Sequence, residues 1–230
     1  MGKDEFRFRH FAVRQDRCAM KVGTDGVLLG SWACRRQADA AMNVLDIGTG
    51  TGLISLFVAQ RFPNAKVTAI DIDPEAAGQA NDNFKASPFS CRLSAQPLAL
   101  QKLDEEEQFD LIVCNPPFFT DSLKCPDSNR TIARHTTTLT FAELARKSSR
   151  LLTAEGTFAV IVPADSKDKM ESEAIFNGLC LQRLCYVKTK ATKPAKRVMM
   201  EFGRKTEMLI EEVLVVGGEE YQALTGIFYL

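Results

Sequence analysis

The chain has 230 residues, 45% hydrophobic and 25% charged, and its 29 basic and 29 acidic residues cancel to a formal net charge of zero. That size suits one α/β domain, 1–230, and the neutral balance excludes a global field that would draw the whole chain to a polyanion. Any polyanion contact must come from local patches. The seven cysteines are scattered without a C-x-x-C pair. They read as small buried hydrophobes in a reducing compartment, with no disulfide framework and no metal site. The first residues are charged, and no apolar run approaches the ~18 residues of a membrane span. The expectation is a cytoplasmic protein with no membrane partner.

In chain order, residues 1–42 form an N-terminal extension, partly helical around Gly26 to Arg36. A core over 43–163 follows, with strands near 43–47, 66–71, 90–94 and 109–114. Helices lie between them near 51–61 and 74–86, with a weaker one near 97–103. Residues 115–138 are a polar connection, too long for an ordinary loop. Phe141 to Leu152 reads as a helix with Thr140 as N-cap, then 156–162 as a strand that Pro163 ends, and Ser166 to Asn177 as a helix. The remainder of 164–230 changes character: 179–189, 197–203 and 208–216 are strands without helices between them. The pattern predicts an α/β fold, a doubly wound, mostly parallel sheet with an antiparallel C-terminal hairpin.

Two motifs carry chemistry. Val44-Leu45-Asp46-Ile47-Gly48-Thr49-Gly50-Thr51-Gly52 reads as strand, glycine turn and helix start. The spacing is G-x-G-x-G; a dinucleotide fingerprint would need glycine where Leu53 stands. Asp46, two residues before the first glycine, would repel a pyrophosphate and attract an ammonium group. The second strand ends in Asp71, with Ile72 beside it, about twenty residues after the glycine turn, which suits a ribose diol. Asp73 before Pro74 suits a helix cap. The other motif, Asn115-Pro116-Pro117-Phe118, ends a buried strand. The prolines fix the backbone, so the Asn115 amide oxygen and the Pro116 carbonyl are held as acceptors beside the Phe118 ring. Two acceptors and an aromatic wall suit a planar NH2 on a conjugated system; a rigid turn is the alternative.

Together these motifs resemble the class I S-adenosylmethionine-dependent methyltransferases, Asp46 to Gly52 matching the cofactor motif and Asn115 to Phe118 the catalytic motif of those that methylate nitrogen. Phe6 to Trp32, Ala133-Arg134-His135, Lys196-Arg197-Val198 and the ending Phe228-Tyr229-Leu230 extend the likeness to the bacterial tRNA (adenine-N6) methyltransferase family that acts at position 37 of a valine tRNA. The resemblance implies a Rossmann-like fold and S-adenosylmethionine bound by Lys21, Thr24, Asp46, Gly48, Thr49, Gly50, Asp71, Ile72 and Asn115. It implies catalysis at Asn115, Pro116, Pro117 and Phe118, no metal, and tRNA as partner. Lys21, Thr24 and Asp25 would close over the methionine end, with a helix cap by Thr24 or Asp25 as the competing reading. Members of the family usually carry an acid where Gln96 stands; its amide oxygen can still accept from an adenine amino group, and a plain surface glutamine is the competing reading.

Two basic stretches bear on the substrate. Arg134 and His135 follow the catalytic motif, and Lys190, Lys193, Lys196 and Arg197 sit in a run without acids. Both suit phosphates around a flipped base, although such a run is often only a solvated face. A protein glutamine amide, another RNA or DNA adenine, and simple nucleotide binding stand as alternatives. The short segment before the first strand leaves little room for the helical substrate domain of glutamine enzymes.

Overall fold

A computed structural model of the chain describes residues 4–18, 20–106, 108–117 and 139–229. The core is an eight-stranded sheet with strand order β10-β8-β9-β7-β6-β3-β4-β5. Its parallel half alternates as expected: β3 (Met42–Ile47), α2 (Leu53–Arg61), β4 (Ala65–Asp71), α3 (Pro74–Lys85), β5 (Leu93–Pro97) and β6 (Phe109–Cys114). After β6 come α4 (Phe141–Leu151), β7 (Leu152–Pro163) and α5 (Lys167–Phe176). Strands β8 (Cys180–Lys188), β9 (Arg197–Gly203) and β10 (Ile210–Val215), then α6 (Glu219–Thr225), complete the described chain. Ahead of the sheet lie a small antiparallel ribbon, β1 (Glu5–Arg7) with β2 (Ala12–Arg14), and α1 (Thr24–Trp32).

Local chemistry sets several boundaries. Thr140 caps α4 through a capping box: its hydroxyl accepts from Glu143 N, and the Glu143 carboxylate accepts from Thr140 N. Asp73 caps α3 by accepting from Glu75 N at 3.0 Å, with Pro74 at the first helical position. Helices cover the sheet on both faces, and alternation along each strand sends successive side chains to opposite clusters. On β7, Ala159 and Ile161 join the α1 and α2 side, while Phe158, Val160 and Val162 join the α4 and α5 side.

Several expectations need correction. The segment near 97–103 is only a short 3-10 turn, Leu100–Lys102. The strand expected at 90–94 lies at Leu93–Pro97. The C-terminal hairpin is β8–β9, and β9 is inserted between β7 and β8, antiparallel to both. The sheet edge is therefore β10, parallel to β8. The 189–196 connection returns the chain antiparallel beside β8. The 204–209 connection then passes under one strand, about 10 Å at ordinary strand spacing, well within the reach of six residues. The N-terminal extension is partly helical, as expected, through α1, and it also carries the ribbon, which feeds Phe8 and Phe11 into the core beside Phe57, whose ring stacks on Phe228 at 4.0 Å.

Candidate active site

The carboxyl ends of β3, β4 and β6 open into one cavity of about 710 Å3. This is where a doubly wound sheet places its ligand crevice. The glycine turn forms its floor. Gly48, Gly50 and Gly52 all have positive φ, at 70°, 55° and 82°. A side chain on Gly48 or Gly50 would meet no atom within 4 Å, so these two keep the wall open. At Gly52 a Cβ would lie 2.5 Å from the Phe84 ring, so this glycine lets α2 pack against α3. The turn is pinned to β4: Gly48 N and Thr49 N donate to Ile70 O at 2.9 and 3.1 Å, and Gly50 N donates to Asp71 Oδ2 at 2.9 Å.

Asp71 thus has both carboxylate oxygens oriented, since Oδ1 accepts from Asp73 N at 3.0 Å. It lines the cavity beside Ile72, ready to accept from a diol. Asp46 differs from expectation. It is fully buried and does not line the cavity. Its Oδ2 accepts from Thr49 Oγ1 at 2.7 Å and Ser55 Oγ at 2.6 Å, while Oδ1 has no partner. Burial pushes its pKa up to about 6 against the pull of these two hydroxyls. Asp46 therefore shapes the turn from behind, through Thr49, instead of meeting an ammonium group directly.

Opposite, the start of α1 supplies Thr24, Asp25 and Gly26 to the wall, with Lys21 nearby. Gly23 is the N-cap and makes no side-chain cap bond, so neither Thr24 nor Asp25 caps the helix. The first N–H groups of α1 are left to serve an anion such as a carboxylate. Apolar side chains of Ile47, Ile54, Ile70, Leu98 and Leu100 suit the face of a purine ring. Gln96 does not reach the cavity: it is exposed on β5, and the chain turns after Pro97 so that Leu98 to Gln101 line that side. This run was missed because it carries no charge or glycine to mark it.

From β6, Asn115, Pro116 and Pro117 enter the cavity wall. Asn115 Oδ1 is buried and has no hydrogen-bond partner. A buried acceptor without a donor is costly, and a ligand N–H would satisfy it. Phe118, Arg134 and His135 lie outside the described residues. The 189–196 turn between β8 and β9 stands at the same carboxyl end of the sheet, because β9 begins where β7 ends, Arg197 opposite Pro163. Strand spacing puts it roughly 10–15 Å to the side of Asn115, and the register places it further out along the strands. Lys190, Lys193 and Lys196 are exposed there. Arg197 is not presented with them: it is half-buried and its Nε donates to Asp25 Oδ2 at 2.9 Å.

These parts fit S-adenosylmethionine: an oriented carboxylate for the ribose, an apolar slot for the adenine, and an uncapped helix start for the methionine carboxylate. Among the described residues no group of three or more His, Cys, Asp or Glu is arranged to hold a metal ion. None of the described helices is long and apolar enough to cross a membrane.

Known proteins agree. The methyltransferase small domain family matches residues 33–179. A tRNA1(Val) (adenine(37)-N6)-methyltransferase of Phocaeicola vulgatus is 48% identical over 236 residues, covering 100% of this chain and 99% of that protein. The Bacteroides thetaiotaomicron protein of the same name is 42% identical over 237 residues, with coverage of 100% and 99%. In fold, the chain is similar to a solved predicted O-methyltransferase from Agrobacterium tumefaciens, with a TM-score of 0.67 at 19% identity over 88% of this chain and 96% of that one. A glycine turn pinned to an acid-ended strand, an Asn-Pro-Pro strand end on the same cavity and full-length identity of this degree place the chain in the methyltransferase small domain family, among S-adenosylmethionine-dependent methyltransferases.

Proposed function

We propose that this chain transfers a methyl group from S-adenosylmethionine to the exocyclic N6 of an adenine in tRNA, at position 37 of a valine tRNA. The observation that carries this reading is the buried, unpartnered Asn115 Oδ1 on the wall of the cavity that Asp71 also lines. The names of the full-length relatives supply the substrate, and the exposed lysines of the 189–196 turn are consistent with a phosphate backbone.

Asp71 holds the ribose, the α1 start with Lys21 and Thr24 receives the methionine carboxylate, and the glycine turn lets the backbone approach closely. The bound cofactor supplies an electrophilic methyl group. Asn115 Oδ1 and the Pro116 carbonyl accept the two N–H bonds of the target amine. They fix its lone pair in line and stabilise the positive charge that grows on nitrogen. No general base is required before transfer, since the proton leaves afterwards. The motif assigns base stacking to Phe118.

Two variants separate these roles. Asp71→Ala loses about two hydrogen bonds to a charged acceptor, so cofactor affinity should fall about a hundredfold by calorimetry. Asn115→Ala removes an acceptor used mainly in the transition state, so kcat should fall ~10²–10³-fold with cofactor affinity nearly kept. Wild-type turnover in Asn115→Ala would refute the mechanism.

A further inference from the structure

The helix α1 joins two regions that the reaction must bring together. Its start walls the cofactor cavity through Thr24, Asp25 and Gly26. Its far end is fastened firmly to the rest of the fold. Arg183 stacks 4.1 Å over the Trp32 ring and donates to Trp32 O, Trp32 Nε1 donates to Glu212, and Arg61 donates to Gly30 O and Cys34 O. At the cavity end a 2.9 Å ion pair between Asp25 and Arg197 ties the helix to the C-terminal half. Arg197 opens β9, directly after the basic turn, and its Nη1 also donates to Lys196 O at 3.1 Å. Lys196 in turn is held by backbone bonds to Val187 and Ala164.

The charges make this pair consequential. Asp25 is an acid in the corner where the N–H groups of α1 and Lys21 would otherwise receive an anion. Unpaired, it would oppose a carboxylate there; Arg197 cancels that charge. Both side chains are about a third exposed or less, at 33% for Arg197 and 27% for Asp25, so solvent screening is incomplete.

We propose that the Asp25–Arg197 ion pair couples the cofactor cavity to the basic turn, so that each ligand tightens the binding of the other. This rests on the reading of the turn as the tRNA surface. Arg197 and Asp25 are positioning residues in this scheme. Cofactor binding favours the paired state, the paired state fixes the turn, and linkage makes the effect reciprocal.

The test is a double-mutant cycle read by calorimetry with S-adenosylhomocysteine, with and without valine tRNA. Arg197→Gln exposes the Asp25 charge and should weaken the ligand about tenfold, and adding Asp25→Asn should restore most of that loss. In the wild type, tRNA should tighten the ligand about fivefold or more, and the factor should fall to about one in the single and double neutral variants. Arg197→Lys keeps the charge and should retain both effects in part. Wild-type ligand affinity in Arg197→Gln, failure of Asp25→Asn to restore it, or an unchanged coupling factor would overturn the proposal. The surface reading fails separately: it is refuted if glutamine at Lys190, Lys193 and Lys196 leaves tRNA affinity unchanged, and the cofactor arm of the cycle still decides the role of the pair.

Discussion

Replacing Asp46 by asparagine probes the least expected feature of the site. The carboxylate is fully buried, two hydroxyls donate to Oδ2, Oδ1 has no partner, and burial raises its pKa to about 6. In the unfolded chain an aspartate titrates near 3.9. The folded protein therefore binds this proton more tightly. The contribution to stability is fully present below about pH 4 and is lost as pH rises through 6. A shift of about two units corresponds to roughly 3 kcal/mol, as an order of magnitude. Asparagine keeps an acceptor for Thr49 and Ser55 but places an amide NH2 where no partner waits, at a constant cost of about 1–3 kcal/mol. The difference between variant and wild type is thus small near neutral pH, where the wild-type carboxylate is charged, and disfavours the variant at low pH, where it is protonated. Urea unfolding of both proteins without cofactor, from pH 4 to 7.5, should show the variant gaining roughly 2–3 kcal/mol relative to wild type across that window. Other groups cancel in the comparison, including Glu201, raised by burial, and Glu105 and Glu143, lowered by their hydrogen-bond donors. A difference that does not change with pH would refute the assignment of Asp46 as a buried, strained carboxylate behind the turn.

Gly52→Ala should cost ~2–5 kcal/mol in thermal or denaturant unfolding, combining a positive φ of 82° with a Cβ 2.5 Å from Phe84. Gly48→Ala, with positive φ but open space, should cost only about 1–2 kcal/mol, and equal losses would disprove the close packing of α2 on α3. Changing Lys190, Lys193 and Lys196 together to glutamine should weaken tRNA binding. It should also lower the salt slope by up to ~0.7–0.9 for each phosphate that is no longer neutralised, as measured by filter binding across salt concentrations. Unchanged slope and affinity would make the turn a plain solvated edge.

Much of the parallel core was legible because its signals are local. The glycine turn, the acid ending β4, the Asn-Pro-Pro strand end and the Thr140 cap each declare themselves within a few residues. What escaped depends on partners distant in sequence. Nothing near 197–203 announces that β9 enters between β7 and β8, since a strand's pattern does not name its neighbour. The pairing of Phe57 with Phe228 and of Asp25 with Arg197 spans most of the chain, so Arg197 read as one more basic residue of a run. Asp46 was legible as an acid near the turn, but its total burial follows from the central place of β3 between β4 and β6, with Thr49 and Ser55 bonded to it. Gln96 was placed by likeness to a motif, and the early turn after Pro97 carried it away from the cavity.

The most direct test of the central claim is mass spectrometry of nucleosides from purified tRNA isoacceptors after incubation with the protein and S-adenosylmethionine. N6-methyladenosine should appear in valine tRNA, mapped to position 37, and should form ~10²–10³-fold more slowly when Asn115 is replaced by alanine at matched cofactor occupancy. Valine tRNA that stays unmodified, or a methyl group on any atom other than an exocyclic adenine nitrogen, would contradict that claim.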